Sequence, residues 1–316
     1  MSGERVVELD RLTKSFGGFK AVDDLSFSVS KGEIFGFLGP NGAGKTTTLR
    51  MLLDIIPPTS GTISILGSGS AIPIRHKIGY LPEERGLYKK MKARDSIAYF
   101  ARLRGVPARK AKAKAIELLD RFGLGEFSKT KCEALSKGMA QKVQLLSTIA
   151  HDPDLLILDE PFSGLDPINQ HTLEELILEL RREGKTIIFS THVMQHAERL
   201  CDRFLILAGG KARFDGTLEQ ARKIFPPRLI VRTVDPIGLL KAVPGVVSVE
   251  AVGEPVGGEQ DYEILLTRDA DPQAVLRAAF DAGLRLSRFE NANASLHDIF
   301  KAVAGDANAD EKEQAA

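Results

Sequence analysis

The chain is poor in cysteine: Cys132 and Cys201 are the only two, and there is no CxxC pair. That sparseness excludes a disulfide framework and a cysteine-built zinc site, and it suits a reducing compartment. An excess of either charge is also missing, since 43 Lys and Arg stand against 42 Asp and Glu for a formal net of +1. A dedicated nucleic-acid binder carries a basic surplus, so composition lends that class no support. No apolar run approaches the ~18–20 residues a membrane-spanning helix needs. The opening MSGERVVELD is charged where a secretion signal requires apolar residues. These absences predict a chain that stays in water by itself, with any membrane component on a separate polypeptide. Apolar residues, by contrast, make up 43% of the 316 positions. That is enough for a substantial core, and because single cores seldom grow past about 250–300 residues, two domains are expected.

Val6 to Leu9 and Leu25 to Val29 have strand patterning, with a turn at Lys31-Gly32-Glu33. Ile34-Phe35-Gly36-Phe37-Leu38 is a short apolar run of the kind buried on both faces of a sheet. A glycine-rich turn follows, then a helical segment from Lys45 through Ile55 that Pro57-Pro58 ends. Thr62 to Ile65 is another short strand. From about Ser96 to Ile149 apolar residues recur at helical spacing, and the basic stretch Arg102 to Lys114 within it is read as a solvated helix face. Leu155 to Leu158 and Thr186 to Ser190 are expected to be parallel strands joined by a helix from Asn169 to Arg182. Phe204 to Leu207 and Lys211 to Phe214 form a closing hairpin around Gly209-Gly210.

Pro226-Pro227 is a plausible boundary. Beyond it the pattern predicts a strand (Arg228–Val234), a short helix (Pro236–Ala242) and two strands (Val246–Val252, Tyr262–Thr267). A helix (Asp271–Ala282), a strand (Leu284–Phe289) and a last helix (Ser295–Ala304) complete it. This β-α-β-β-α-β order is a split βαβ arrangement, a small α+β domain over 226–304. The polar tail 305–316 is expected to be disordered.

Gly39-Pro40-Asn41-Gly42-Ala43-Gly44-Lys45-Thr46 fits G-x-x-x-x-G-K-[ST], placed after a buried strand and before a helix. Glycines let the backbone wrap so that N–H groups point at phosphate oxygens, and the helix start adds its positive dipole end. Lys45 is expected to reach the β- and γ-phosphates, Thr46 to ligate Mg²⁺, and Thr47 to lie beside it against the nucleotide. Leu155-Leu156-Ile157-Leu158-Asp159-Glu160 is an apolar strand ending in two carboxylates. Asp159 then helps hold the metal, and Glu160 polarises the attacking water as general base. ATP and Mg²⁺ are the implied cofactors. The long, largely helical stretch between Lys45 and Asp159 exceeds what a minimal nucleotide kinase or small GTPase requires.

Here the sequence resembles the ABC ATPase family, through its motif order over residues 1–225. Leu135-Ser136-Lys137-Gly138-Met139 looks like the family signature, usually LSGGQ; Ser163-Gly164-Leu165-Asp166 is similar to the D-loop; and Ser190-Thr191-His192 resembles the switch histidine. Phe16 falls where the family places an aromatic against adenine. The resemblance implies a P-loop NTPase fold, α/β, with a RecA-like core, an antiparallel β subdomain and a helical insert at about 88–150. It further implies a homodimer that sandwiches ATP, with Ser136 and Gly138 of one subunit facing the γ-phosphate held by the other and Asp166 near it. His192 would hold water and Glu160 in line.

Three positions depart from the family pattern. Lys137 and Met139 replace a glycine and a glutamine in the signature, while Glu83, in Ile78-Gly79-Tyr80-Leu81-Pro82-Glu83, stands where the family has the Q-loop glutamine. A carboxylate there can still approach Mg²⁺ or water and hinge the helical insert, so Glu83 joins the catalytic and metal residues. Glu83 to Tyr88 and Ser295 to Phe300 resemble an exporter subgroup that includes sodium and drug efflux subunits. That likeness implies integral-membrane permease partners and a place on the cytoplasmic face of the membrane. A soluble ABC ATPase acting on ribosomes or DNA is the alternative, but there is no second phosphate loop, no sustained heptad repeat and no basic excess. A non-hydrolysing adaptor is a further alternative, against which Glu160 and His192 argue. His192 and His196 are spaced four apart, yet without the glutamate of HExxH or a third ligand they are not read as a zinc site.

Overall fold

The computed structural model describes residues 3–84, 86–292 and 294–303; the tail expected to be disordered lies outside them. The chain divides into two compact units, one running to Thr217 and joined by the segment from Ala302, the other spanning Leu218–Lys301. No helix among the described residues is long and apolar enough to cross a membrane.

The first unit opens with β1 (Arg5–Phe16) and β2 (Phe19–Ser30), continues through β3 (Ile34–Leu38) into α1 (Lys45–Leu52), and returns by β4 (Ser60–Ile65) to β5 (Ile78–Leu81). Three helices follow: α2 (Ala93–Leu103), α3 (Ala108–Arg121) and α4 (Lys137–Ile149). Then come β6 (Leu155–Asp159), α5 (Pro167–Arg182), β7 (Thr186–Thr191), α6 (Met194–Leu200) and the hairpin β8 (Arg203–Ala208) and β9 (Lys211–Gly216). A six-stranded sheet of order β5-β6-β7-β3-β8-β9 forms the centre, parallel except for β9; an antiparallel sheet of order β2-β1-β4 lies beside it.

Every residue of β3, β6 and β7 is buried, which explains the apolar runs along them; the polar residues fall at the strand ends. Alternate side chains serve opposite layers. Leu156, Leu158, Ile187 and Phe189 join the core under α2 to α5, whereas Leu155, Ile157, Phe35 and Phe37 join the core shared with α1 and the β1-β2-β4 sheet. Phe27 of β2 stacks on Phe35 at 5.3 Å and knits the second core together.

β1, β2 and α1 differ from the sequence expectation. β1 and β2 are each twelve residues long, because irregularities in their pairing absorb the break in alternation between Leu9 and Lys14. Helix α1 stops at Leu52, short of Ile55, where Asp54 turns to φ 54° and its carboxylate accepts from Ser70 Oγ and the Ala71 N–H.

The second unit begins with α7 (Leu218–Arg222) and carries β10 (Arg228–Thr233), β11 (Val246–Val256), β12 (Glu259–Leu266), α8 (Pro272–Asp281) and β13 (Leu286–Ala292), with residues 296–301 helical. Pro226-Pro227 lies inside it, between α7 and β10. The sheet order β11-β12-β10-β13 inserts β12 between β10 and β11, antiparallel to both, which is the split βαβ arrangement. The first crossover is only a 3₁₀ turn at Gly238–Ala242. Leu229, Val231, Ile264, Leu266, Val275 and Ala279 form this unit's own core.

Candidate nucleotide site

The turn from β3 into α1 is wrapped against backbone. A β-carbon on Gly39 would fall 2.4 Å from the Leu207 carbonyl oxygen. One on Gly44, whose φ is 102°, would fall 2.3 Å from that of Ala21. Only glycine fits at either position. The Thr48 hydroxyl donates to the Gly44 carbonyl at 2.9 Å, closing the first turn of α1. Lys45 is buried, and its ammonium folds back over the turn to donate to the carbonyls of Gly39 at 2.7 Å and Pro40 at 3.2 Å. The result is a ring of backbone N–H groups at a helix start with a cation at its centre, which is a phosphate-binding shape.

Pro40 through Thr47 line a cavity of about 430 Å³ together with Phe16, Phe19, Ala21, Glu83 and Glu160. Phe16 and Phe19 stand at its mouth, 50% and 64% exposed, so their rings are open to a flat ligand. The Lys14 ammonium lies 5.0 Å from the Phe16 ring centre.

The acidic strand end meets this cavity through β7. Asp159 pairs with Ser190 in the β6–β7 register. The buried Ser190 hydroxyl donates to Asp159 Oδ1 at 2.6 Å and accepts the Glu160 N–H at 2.9 Å. Glu160 sits in the left-handed region at φ 48°, a conformation that costs an L-residue roughly 1–2 kcal/mol and that its hydrogen bond to Ser190 helps hold. The Glu160 carboxylate is buried. His192 Nδ1 lies 2.9 Å from its Oε2 and must be the donor, because a carboxylate only accepts; Lys45 Nζ lies 3.5 Å from Oε1. The Thr46 hydroxyl donates to Asp159 Oδ1 at 3.3 Å. Two buried oxygens, Asp159 Oδ2 and Glu160 Oε1, accept no hydrogen bond among the described residues. Hard oxygens left open beside the Thr46 hydroxyl suit a small divalent cation such as Mg²⁺.

Ser136 and Asp166 cap helices. Ser136 Oγ accepts from the Met139 N–H at 3.2 Å at the start of α4, and Asp166 accepts from the Asn169 N–H at 2.9 Å at the start of α5. The Asn169 hydrogen bonds hold the Asp166 carboxyl below the usual carboxylate range. These two helix starts are packed together: a β-carbon on Gly138 would fall 2.6 Å from Asn169 Nδ2, and one on Gly164 would fall 2.0 Å from Lys137 Nζ. Ser136, Gly138 and Asp166 do not line the nucleotide cavity; Glu83 does, as an exposed side chain. One chain therefore brings Phe16, the phosphate loop, Asp159, Glu160, His192 and Glu83 together, and leaves the Ser136-to-Gly138 and Asp166 corner apart.

Sequence reasoning missed Phe19, Ser190 and Gln141, whose side-chain amide donates to the Pro161 carbonyl at 3.2 Å. The sequence signal for Phe19 was an aromatic three residues from Phe16. For Ser190 it was a hydroxyl at the end of a strand beside the acidic one.

A glycine turn wrapped for phosphate on a parallel sheet, with an Asp-Glu pair closing the neighbouring strand, defines a P-loop nucleoside triphosphatase. Comparison with known proteins narrows the class. The family described as ABC transporter matches residues 22–163, and the family described as ATP-binding protein DrrA1-3-like, C-terminal domain, matches residues 216–304. The uncharacterized ABC transporter ATP-binding protein YhaQ of Bacillus subtilis is 40% identical over 93% of this chain and 97% of its own length. Nod factor export ATP-binding protein I of Paraburkholderia xenovorans is 40% identical over 67% of this chain and 71% of its own. Linearmycin resistance ATP-binding protein LnrL of Bacillus subtilis is 36% identical over 67% and 69%. A solved ATP-binding subunit of an ABC transporter superposes with a TM-score of 0.64 at 33% identity, covering 69% of this chain and 92% of that one. This chain belongs to the ABC transporter ATP-binding proteins and is an ATPase of that family. Cassettes of the family bind ATP, dimerise, and work with membrane permease subunits.

Proposed function

We propose that the chain is the ATP-hydrolysing subunit of an exporter and acts as a homodimer on a separately encoded permease at the cytoplasmic face of the membrane. The observation that carries the hydrolytic part is the buried Lys45–Glu160 pair, with the half-exposed His192 on the Glu160 carboxylate, beside the open oxygens of Asp159 and Glu160. Lys45 leaves the carbonyls of Gly39 and Pro40 for the β- and γ-phosphates as nucleotide enters. The backbone of Gly39 to Gly44 and the hydroxyls of Thr46 and Thr47 take the remaining phosphate oxygens, and Phe16 covers the adenine. Thr46 and Asp159, with Glu83 reaching in from the cavity wall, would hold Mg²⁺, which supplies charge neutralisation at the phosphates. Glu160 accepts the proton of the attacking water, and His192, donating to Oε2, keeps that carboxylate aimed.

Ser136 and Gly138 lie outside the cavity of their own chain, so the γ-phosphate contacts they offer go to the nucleotide of a second copy, with Asp166 at the seam. Export is supported by the names of the relatives for Nod factor export and linearmycin resistance and by the accessory unit's family match. The permease is assigned to a cavity of about 450 Å³ whose lining includes Tyr80, Pro82, Gly86, Phe100, Leu103 and His151. At its edge Tyr88 packs edge-on to Tyr99 at 5.4 Å and over Phe100 at 6.1 Å, an aromatic cluster suited to a short partner helix.

The test is Glu160→Gln, which keeps shape and removes the base. Steady-state turnover should fall by about 10²–10⁴, while ATP binding persists and gel filtration in Mg-ATP shows more dimer. Unchanged turnover would refute the assignment.

A further inference from the structure

The turn that carries Glu160 is gripped from two helices, α6 and α4, and the grip from α6 has no place in the mechanism above. Phe162, two residues after Glu160, is buried with its ring edge-on to Phe189 of β7 at 5.9 Å. On the same ring the His196 imidazole is stacked at 4.0 Å between centroids with 13° between planes. His196 belongs to α6, which begins two residues after the switch residue His192. It is itself buried, and its Nδ1 lies 2.8 Å from Oε1 of Glu174, a buried carboxylate on α5. Nδ1 must donate, since the carboxylate can only accept. Glu174 Oε2 is further neutralised by Arg199 at 3.6 Å and faces His171 at 4.0 Å. From the opposite side, Gln141 of α4 donates to the Pro161 carbonyl.

We propose that His196 is a positioning residue for hydrolysis: its stack on Phe162 and its bond to Glu174 lock the base turn, the switch loop and the helix that follows Asp166 into one unit. This inference rests on the reading of Glu160 as base. The His192–Glu160 contact of 2.9 Å and the bond from the Glu160 N–H to Ser190 join the base turn to the end of β7 and the switch loop. Both loops are short, and both run directly into the elements that His196 clamps. Solvent-exposed loops drift unless something buried fixes them. An aromatic stack plus a buried hydrogen bond at one side chain does this without touching nucleotide. The clamp also gives α6, only seven residues long, an anchor that helix length alone does not provide.

The experiment uses the full-length protein with His196→Ala, His196→Gln and each combined with Glu160→Gln, measuring kcat, nucleotide affinity and melting temperature. His196→Ala should lower kcat by about 10- to 100-fold, the scale of a 1 Å misplacement of a reacting group, with ATP affinity unchanged within error. His196→Gln keeps the bond to Glu174, loses the stack, and should recover part of that loss. It also carries the test if the alanine variant fails to fold. In the Glu160→Gln background neither change should lower the residual rate further, because the residue acts through Glu160. A wild-type kcat in both single variants, an equal fold-loss in the Glu160→Gln background, or a loss of ATP affinity that matches the loss of kcat would each overturn the proposal. Normal turnover in Glu160→Gln alone would instead remove the base assignment, so the two failures are distinguishable.

Discussion

Ser190 holds both acidic residues of the site with one hydroxyl, so Ser190→Ala tests the arrangement directly. The substitution removes a charge-assisted bond to Asp159 Oδ1 at 2.6 Å and leaves the Glu160 N–H, 2.9 Å from that hydroxyl, without a partner in a fully buried place. A hydrogen bond to a charged group contributes about 1.5–3 kcal/mol, and an orphaned buried donor costs about 1–3 kcal/mol. The two overlap because one oxygen makes both, so the expected loss is about 2–4 kcal/mol. For a unit of this size that lowers the melting temperature by roughly 5–15 °C. Turnover should also fall, by about tenfold or more, because Asp159 loses its tether and the left-handed Glu160 loses the bond that holds it. The assays are thermal melting by circular dichroism and steady-state phosphate release at saturating Mg-ATP. A melting shift equivalent to less than about 0.5 kcal/mol, the scale of a neutral surface change, together with wild-type turnover, would refute the reasoning.

Lys45→Ala should weaken ATP binding by about 10- to 100-fold, from the loss of one charge-assisted contact; fluorescent-nucleotide titration checks it, and unaltered affinity would remove the phosphate-cradle role. His151 supplies a pH test. Burial pushes its imidazole down to about 4 from 6.5, against a hydrogen bond from Nε2 to the Ile78 carbonyl at 3.1 Å that opposes the shift. Because the folded value lies below the unfolded one, the unfolded chain takes up the proton first. Stability from this group is therefore complete above about pH 6.5 and is lost as pH falls toward 4, by roughly 3 kcal/mol in all. Melting temperature followed from pH 7.5 to pH 5 should drop less steeply in His151→Gln than in the wild-type chain.

The phosphate loop and the acidic strand end were legible because their chemistry is local: every group needed lies within a few residues on a strand, a turn or a helix start. Leu155 to Leu158 announced a doubly buried strand, and the structure buries each of them. Ser190 and His196 were not legible as partners of the site. Ser190 reaches Asp159 only through the parallel register of β6 and β7, and His196 reaches Phe162 only once α5 and α6 pack on the same sheet face. Neither register nor packing leaves a local pattern. The lengths of β1 and β2 were underestimated for a related reason, since bulges interrupt the alternation on which strand reading depends.

The corner outside the cavity explains why a lone chain is an incomplete machine on the proposed reading. The starts of α4 and α5 lie side by side, joined where Gly138 meets Asn169 and where Lys137 meets Gly164. Two helix N-termini present unbonded backbone donors and the positive ends of two dipoles to the same exposed region. Asp166 offsets part of that charge, but it is already committed to Asn169. Lys137, where the family signature has a glycine, adds a full cation that makes no ion pair among the described residues. Such a corner is favoured by an incoming anion and disfavoured without one, so a triphosphate carried by a second copy would stabilise the pair in proportion to its charge. Loss of the γ-phosphate removes the most negative part of that ligand. On the proposed reading the clasp would then weaken at the step the Glu160 turn controls, tying chemistry in one chain to separation from the other.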